Sequence, residues 1–204
     1  MQRRNCAMLA LSIAWPTLLA LQASGQATKA PPEWKPEPAV LKKLETTWIL
    51  DAYTLQPPKN YTRERPKETP PGLVAVGWSG EPRKDGSKAS IRAMVVQLPP
   101  SEEASTGKYT LEQLAETLLG TIKRNRSDFQ EEKAETGTIS GLTFLRVRWE
   151  GVETKSNRKM QGFVYVARDG LKIIQLLSQD YTPEATESLP LTEASILTFK
   201  KKKP

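Results

Sequence analysis

The chain has 204 residues, 38% apolar and 26% charged, with 30 Lys+Arg against 23 Asp+Glu and a net charge of +7. It contains no His and a single cysteine, Cys6. The absences exclude Ser-His-Asp and Cys-His catalysis, imidazole metal sites, an internal disulfide, a zinc ribbon and a Cys-held iron–sulfur cluster.

Residues 1–27 read as a secretory leader. Arg3 and Arg4 form a basic start, residues 7–21 are almost wholly apolar, and Gly25 and Ala27 are small residues at the −3 and −1 positions of a cleavage site. The expectation is export, to the periplasm or the outside of the cell, with cleavage after Ala27. The alternative is an uncleaved anchor, for which the apolar run is short and interrupted by Pro16. Cys6 precedes the apolar run, so it is not placed as a lipoprotein cysteine. Cleavage leaves 28 basic and 23 acidic residues, a net +5 with no cysteine.

Residues 28–47 read as a Pro-rich linker. Pro31, Pro32, Pro36 and Pro38 favour extended, polyproline-like chain, and Trp34 lies among them. Val40, Leu44 and Trp48 have the spacing of a short helical turn. A folded unit is expected over residues 48–199. Its first strand falls at 51–55, followed by a Pro-punctuated stretch and a second strand at 72–78. Residues 79–87 form a polar turn. Residues 89–98 (ASIRAMVVQL) are apolar enough for a central strand, stopped by Pro99 and Pro100.

The clearest helix follows, over 110–124. Thr110 and Gln113 make a capping box, and Leu111, Leu114, Ala115, Leu118, Leu119 and Ile122 form one stripe. Three strands come next, at 141–151, 160–168 and 171–179. In the first, Leu145, Val147 and Trp149 face one way and Arg146 and Arg148 the other. Asp169-Gly170 signals a tight hairpin between the other two. A final helix is expected over 191–199 with Pro190 at its first position. Residues 200–204 complete the chain as a Lys-rich tail, solvated in the simplest reading. Without Lys200 to Lys203 the mature chain is nearly neutral. The fold class is α+β: an antiparallel sheet flanked by helices.

The chemistry-bearing patterns are sparse. Residues 80–88 (GEPRKDGSK) lack phosphate-loop spacing and read as a surface turn. Glu150, Glu153, Asp169 and Asp180 are the carboxylates nearest to strand ends, but nothing pairs two of them over a substrate. Glu102-Glu103 and Glu131-Glu132 lack the ligand alternation of a calcium loop. Asn60 and Asn125 open glycosylation-type triplets, of consequence only in a eukaryotic secretory route. Arg146 and Arg148, with Lys155, Arg158 and Lys159 in the following loop, are the candidate partner-binding residues. The ordinary reading of the same charges is the solvent face of a half-buried sheet.

The order and spacing of these elements resemble the PsbP/Mog-type superfamily, an α/β/α sandwich around an antiparallel sheet. The resemblance is carried by Tyr53-Thr54-Leu55 followed by Pro57-Pro58-Lys59-Asn60-Tyr61, by the Trp78 strand, by the capped helix, and by the closing Ser195-Ile196-Leu197-Thr198-Phe199. The superfamily includes extrinsic photosystem subunits, a nuclear GTPase-binding protein and bacterial envelope proteins. The resemblance therefore implies an exported, non-catalytic accessory protein with no catalytic residues and no cofactor. Its expected partner is a protein or cell-surface component. Nucleic acid is not expected, and membrane contact is at most peripheral. A carboxylate-dependent hydrolase and a wall- or membrane-associated structural domain are the alternatives.

Overall fold

The computed structural model describes residues 30–64, 68–102 and 109–202. The leader assigned to residues 1–27 lies outside them, as do Glu103 and Lys203. The strands are β1 (Trp48–Leu50), β2 (Tyr53–Leu55), β3 (Thr62–Glu64), β4 (Leu73–Ser79), β5 (Ser90–Gln97), β6 (Arg126–Glu131), β7 (Glu135–Ile139), β8 (Leu142–Glu153), β9 (Arg158–Asp169), β10 (Lys172–Tyr181) and β11 (Lys200–Lys201). The helices are α1 (Pro38–Leu41), α2 (Leu111–Lys123) and α3 (Ala185–Ile196). The principal sheet has eight strands in the order β3-β4-β5-β10-β9-β8-β6, with β7 pairing the other half of β8. A second sheet runs β1-β2-β11, and every ladder is antiparallel.

The middle of β9 is buried on both faces, and β8 and β10 flank it, so alternate side chains of these long strands contribute to two separate cores. Phe144, Tyr165, Ala167, Ile174 and Leu176 point into one, with Ile196 and Phe199 from the C-terminal region. Leu145, Val147, Trp149, Val164 and Val166 point into the other. The expected parity of β8 holds. Helix α2 covers the second core with Ala115, Leu118, Leu119 and Ile122, the predicted stripe. Its capping box forms as expected: the Gln113 N–H donates to Thr110 Oγ1, and the Thr110 N–H to Gln113 Oε1. On the first face α3 shares the cover with the small sheet, so the expected helix–sheet–helix layering is met only in part.

Several sequence expectations need correction. The strand placed at 51–55 is a hairpin, β1 and β2, because Asp51 turns the chain at φ 54°. The β9–β10 turn falls one residue later than expected, on Gly170 and Leu171, with Asp169 and Lys172 paired across it. Gly170 has φ +60°, a conformation that glycine adopts without a Cβ penalty. Helix α3 starts at Ala185, with Pro190 inside it. The missing proline N–H removes one helical bond, and tertiary anchors compensate. Ser188 Oγ donates to Asp180 Oδ2 at 2.5 Å, and Ser195 Oγ to the Gln56 carbonyl at 2.6 Å. Strands β3, β6 and β7 were not expected; their residues lack the apolar alternation of half-buried strands.

The linker and the tail are also corrected, since both pair with the sheets. The Thr138 N–H donates to the Pro32 carbonyl and the Trp34 N–H to the Thr138 carbonyl, each at 2.8 Å. An extended Pro-rich chain has no internal hydrogen bonds, so its polar groups are free to pair with β7. Trp34 then packs edge-on to Tyr165, ring centroids 5.9 Å apart. Gly137 makes room for the indole: a Cβ there would lie 2.2 Å from it. Leu44 is buried as well. At the other end, Lys200 pairs with Thr54 and Lys201 with Tyr53. Lys201 Nζ reaches Asp169 Oδ2 at 2.8 Å, and the Lys202 N–H donates to the Ala52 carbonyl at 2.8 Å.

The turn at residues 80–88 fastens the layers. Arg83 clamps Asp180 with Nη1 at 2.8 Å and Nη2 at 2.5 Å, and Asp180 is fully buried. The pair ties the β4–β5 turn to the end of β10, and Ser188 ties both to α3.

Two outcomes are expected from this packing. Gly137→Ala lowers unfolding free energy by about 1–3 kcal/mol through overpacking, and in a Trp34→Ala background the same change costs much less, as a double-mutant cycle by urea denaturation will show. Ending the chain at Phe199 lowers stability by about 1 kcal/mol per backbone hydrogen bond lost from β11, read as a fall in the urea midpoint with little change in slope.

Candidate functional site

The five basic residues singled out in the sequence divide between two faces and a turn. Arg146 and Arg148 on β8 and Lys159 on β9 share the face that carries Phe163 and Tyr165, by strand alternation and register. Arg158 has the parity of Met160, on the opposite face, and Lys155 lies in the exposed β8–β9 turn.

Four of the five are already engaged. Arg146 pairs with Glu193 at 2.7 Å and with Glu135, and its guanidinium lies 4.8 Å from the centre of the Trp34 ring. Arg148 meets Gln161 at 2.9 Å and Glu132 at 3.4 Å. Lys159 pairs with Glu150 at 3.0 Å. Arg158 pairs with Asp85 at 2.5 Å and covers the Tyr181 ring. The rim is therefore charge-balanced. Arg146 is mainly a positioning side chain: it fixes Trp34 on the sheet and Glu193 against the Tyr165 hydroxyl.

The carboxylates serve as anchors too. Hydrogen bonding from Lys172 holds Asp51 below its ordinary 3.8, and Lys201 with the Tyr53 hydroxyl does the same for Asp169. Lys88 and Ser79 hold Glu64 below its ordinary 4.5. Burial, which opposes ionisation, is the largest influence on Glu153, yet Ser156 and Tyr181 leave it lowered. Among the described residues no group of three or more Asp, Glu or Cys side chains is placed to hold a metal ion.

The concavity that stands out chemically is on the α2 face. Helix α2 lies over β8 and β9 and leaves the β4–β5–β10 part of that face open. The result is a cleft of about 470 Å³. Thr117, Leu118, Thr121 and Ile122 form its helical wall. Its floor includes Gly77, Arg92, Met94, Gln175 and Leu177, and Arg126 and Gln179 close one end. Arg126 lies 4.5 Å from the Trp149 ring centre and donates to the Ile122 carbonyl at 2.7 Å and to Gln179 Oε1 at 3.1 Å.

Sequence reasoning missed this cleft. Its one legible sign was Arg92, a charged residue in the middle of a strand otherwise apolar enough to be central. The contribution of Arg126 depends on where α2 ends and β6 begins, which local pattern does not give. The arrangement offers guanidinium groups, amides and hydroxyls beside an apolar wall; it can bind and orient a ligand.

Fold and cleft define an antiparallel α+β sheet protein with two cores and one half-covered face. No family profile matches the chain, and no curated protein matches it significantly. Among solved structures it is similar to cyanobacterial PsbP (CyanoP) from Synechocystis sp. PCC 6803, with a TM-score of 0.53 and 15% identity over 89% of this chain and 98% of that one. It is also similar to LpqN, involved in cell envelope biogenesis of Mycobacterium tuberculosis, with a TM-score of 0.48 and 11% identity over 84% and 99% of the two chains. The chain has the PsbP-like fold.

The titrating groups set a two-sided pH profile. A carboxyl whose folded pKa is depressed contributes stability above its unfolded value and loses it as pH falls, so stability declines below about pH 4.5. Burial pushes Tyr61 from 10.0 up to about 12, and Tyr53 and Tyr165 are raised as well. Groups with raised pKa contribute stability below the unfolded value and lose it above, so stability declines again beyond about pH 10. With no His in the chain, urea melts between about pH 5.5 and 9 are expected to superimpose.

Proposed function

We propose that the protein is an exported, non-catalytic accessory protein of the cell envelope that acts by binding a protein or cell-surface partner. In this reading the leader is removed after Ala27, and the working unit is the PsbP-like domain together with its N-terminal strap. The observation that carries the proposal is the state of the carboxylates. Among the described residues every Asp or Glu with a displaced pKa is displaced downward, whereas a general acid working near neutrality needs a raised one. The cleft is lined by guanidinium, amide and hydroxyl groups, with Glu64 already engaged by Lys88 and Ser79. These features favour holding a ligand over transferring its protons. Among the described residues no helix is long and apolar enough to cross a membrane.

Arg148, Lys155 and Lys159 are the basic residues proposed for partner contact, because each is exposed at the β8–β9 end of the sheet. The test is affinity capture from an envelope extract of the source cell, with the exported chain as bait. A stoichiometric partner is expected, and its recovery should fall about tenfold or more with the Arg148→Glu, Lys155→Glu, Lys159→Glu triple variant. Turnover of a substrate by the purified protein, lost on one carboxylate substitution, would overturn the reading.

A further inference from the structure

We propose that the cleft between α2 and the β4–β5–β10 face is a binding site for a small oxyanion, a carboxylate or phosphate, carried on a compact apolar body. Arg92 and Arg126 both line the cleft. Among the described residues no carboxylate is in ion-pair contact with either guanidinium, although nine other Lys and Arg side chains do make such pairs. Glu64 at the rim feels the charge of Arg92 but is bound by Lys88 at 2.5 Å and Ser79 at 2.7 Å. Glu153, paired in register with Arg126, shares part of that residue's field; the open positive charge of the cleft therefore rests chiefly on Arg92, in a concavity whose low-dielectric walls concentrate the field.

Position supports the same conclusion. Arg92 stands in register between Gly77 on β4 and Leu177 on β10. One neighbour has no side chain and the other has no polar atom, so the guanidinium is open from above and unpaired from the sides. Burial of an arginine stem along apolar floor is ordinary, but a fork of five donors without an anion is the arrangement that takes up carboxylate or phosphate bidentately. Arg126 is held still by Trp149, the Ile122 carbonyl and Gln179, while its buried Nε has no hydrogen-bond partner.

The apolar part of the site fixes the rest of the ligand. Leu118 and Ile122 on the helix face Met94 and Leu177 on the sheet. Methionine adapts to the shape of what it covers. A volume of about 470 Å³ lies within the range of small-molecule sites and exceeds what a bare inorganic anion fills.

Isothermal titration of the full chain tests this, with 1-naphthyl phosphate, 1-naphthoate, 1-naphthalenemethanol and inorganic phosphate as probes. One or both naphthyl anions should bind with Kd below about 1 mM, and the stronger of the two identifies the headgroup. The neutral alcohol and inorganic phosphate should each bind at least about tenfold more weakly. Arg92→Gln, at an exposed position, should weaken the anion about tenfold. Lys84→Gln, the same charge change at an exposed position in the β4–β5 turn that does not line the cleft, should leave it unaltered. Equal binding of the alcohol, equal binding of inorganic phosphate, an unaltered Arg92→Gln affinity, or no heat with either anion each overturns the proposal. Capture of a partner through Arg148, Lys155 and Lys159 is read separately, since those residues do not line the cleft.

Discussion

A sheet that is apolar on both faces must be covered on both faces, and the rest of this molecule follows from that requirement. Strands β8, β9 and β10 send alternate residues into two cores. An antiparallel sheet with one solvated face can stand with a single cover; this one needs two. Helix α2 supplies the first with one apolar stripe. The second is assembled from pieces remote in sequence: α3, the β1-β2-β11 sheet and the strap around Trp34. Because apolar burial is non-directional, the pieces require other interactions to fix their places.

Those interactions are polar and sit at the joints between layers. Asp180 takes Arg83 and Ser188, which joins the β4–β5 turn, β10 and α3. Glu193 takes Arg146 and the Tyr165 hydroxyl, which joins α3 to the sheet beneath the strap. Asp169 takes Tyr53 and Lys201, which joins the β9–β10 turn to the small sheet. A buried carboxylate is costly without partners and specific with them. Three acids used in this way anchor one layer to the next.

The two covers differ in completeness, and the difference creates the functional geometry. On one face the strap and α3 lie close to the sheet, and the indole of Trp34 rests directly on Gly137. On the other, a single helix spans β8 and β9 but not β4 and β5. The open part is a cleft with a basic floor and an apolar helical wall. On and around the sheet Arg83, Arg146, Arg148, Arg158, Lys159 and Lys172 are paired with acids. Arg92 and Arg126 make no such contact pair, Arg126 having only the nearby charge of Glu153, and both line the incompletely covered face.

The sequence by itself determined the local elements: the capped helix, the strong strands, the parity of Leu145, Val147 and Trp149, and the α+β class. Each is written in spacing over a few residues, through the 3.6 and 2.0 periods of backbone geometry. It also determined which chemistries are absent, because a chain without His cannot use one. Tertiary structure alone decided the fate of the Pro-rich segment and the lysines at the C-terminal end. Both look solvated by composition, yet both find unpaired strand edges, on β7 and β2. It decided that Pro190 lies within a helix, since Asp180 and Gln56 hold that helix from outside. It decided the candidate site as well. Arg146, Arg148, Lys159 and Arg158 stood out by proximity in sequence, but their acidic partners Glu193, Glu132, Glu150 and Asp85 come from other parts of the chain. Arg92 and Arg126 are 34 positions apart and line one cleft only because a helix leaves part of a sheet uncovered. Periodicity is a property of neighbours along the chain; charge compensation and cavity shape are properties of neighbours in space.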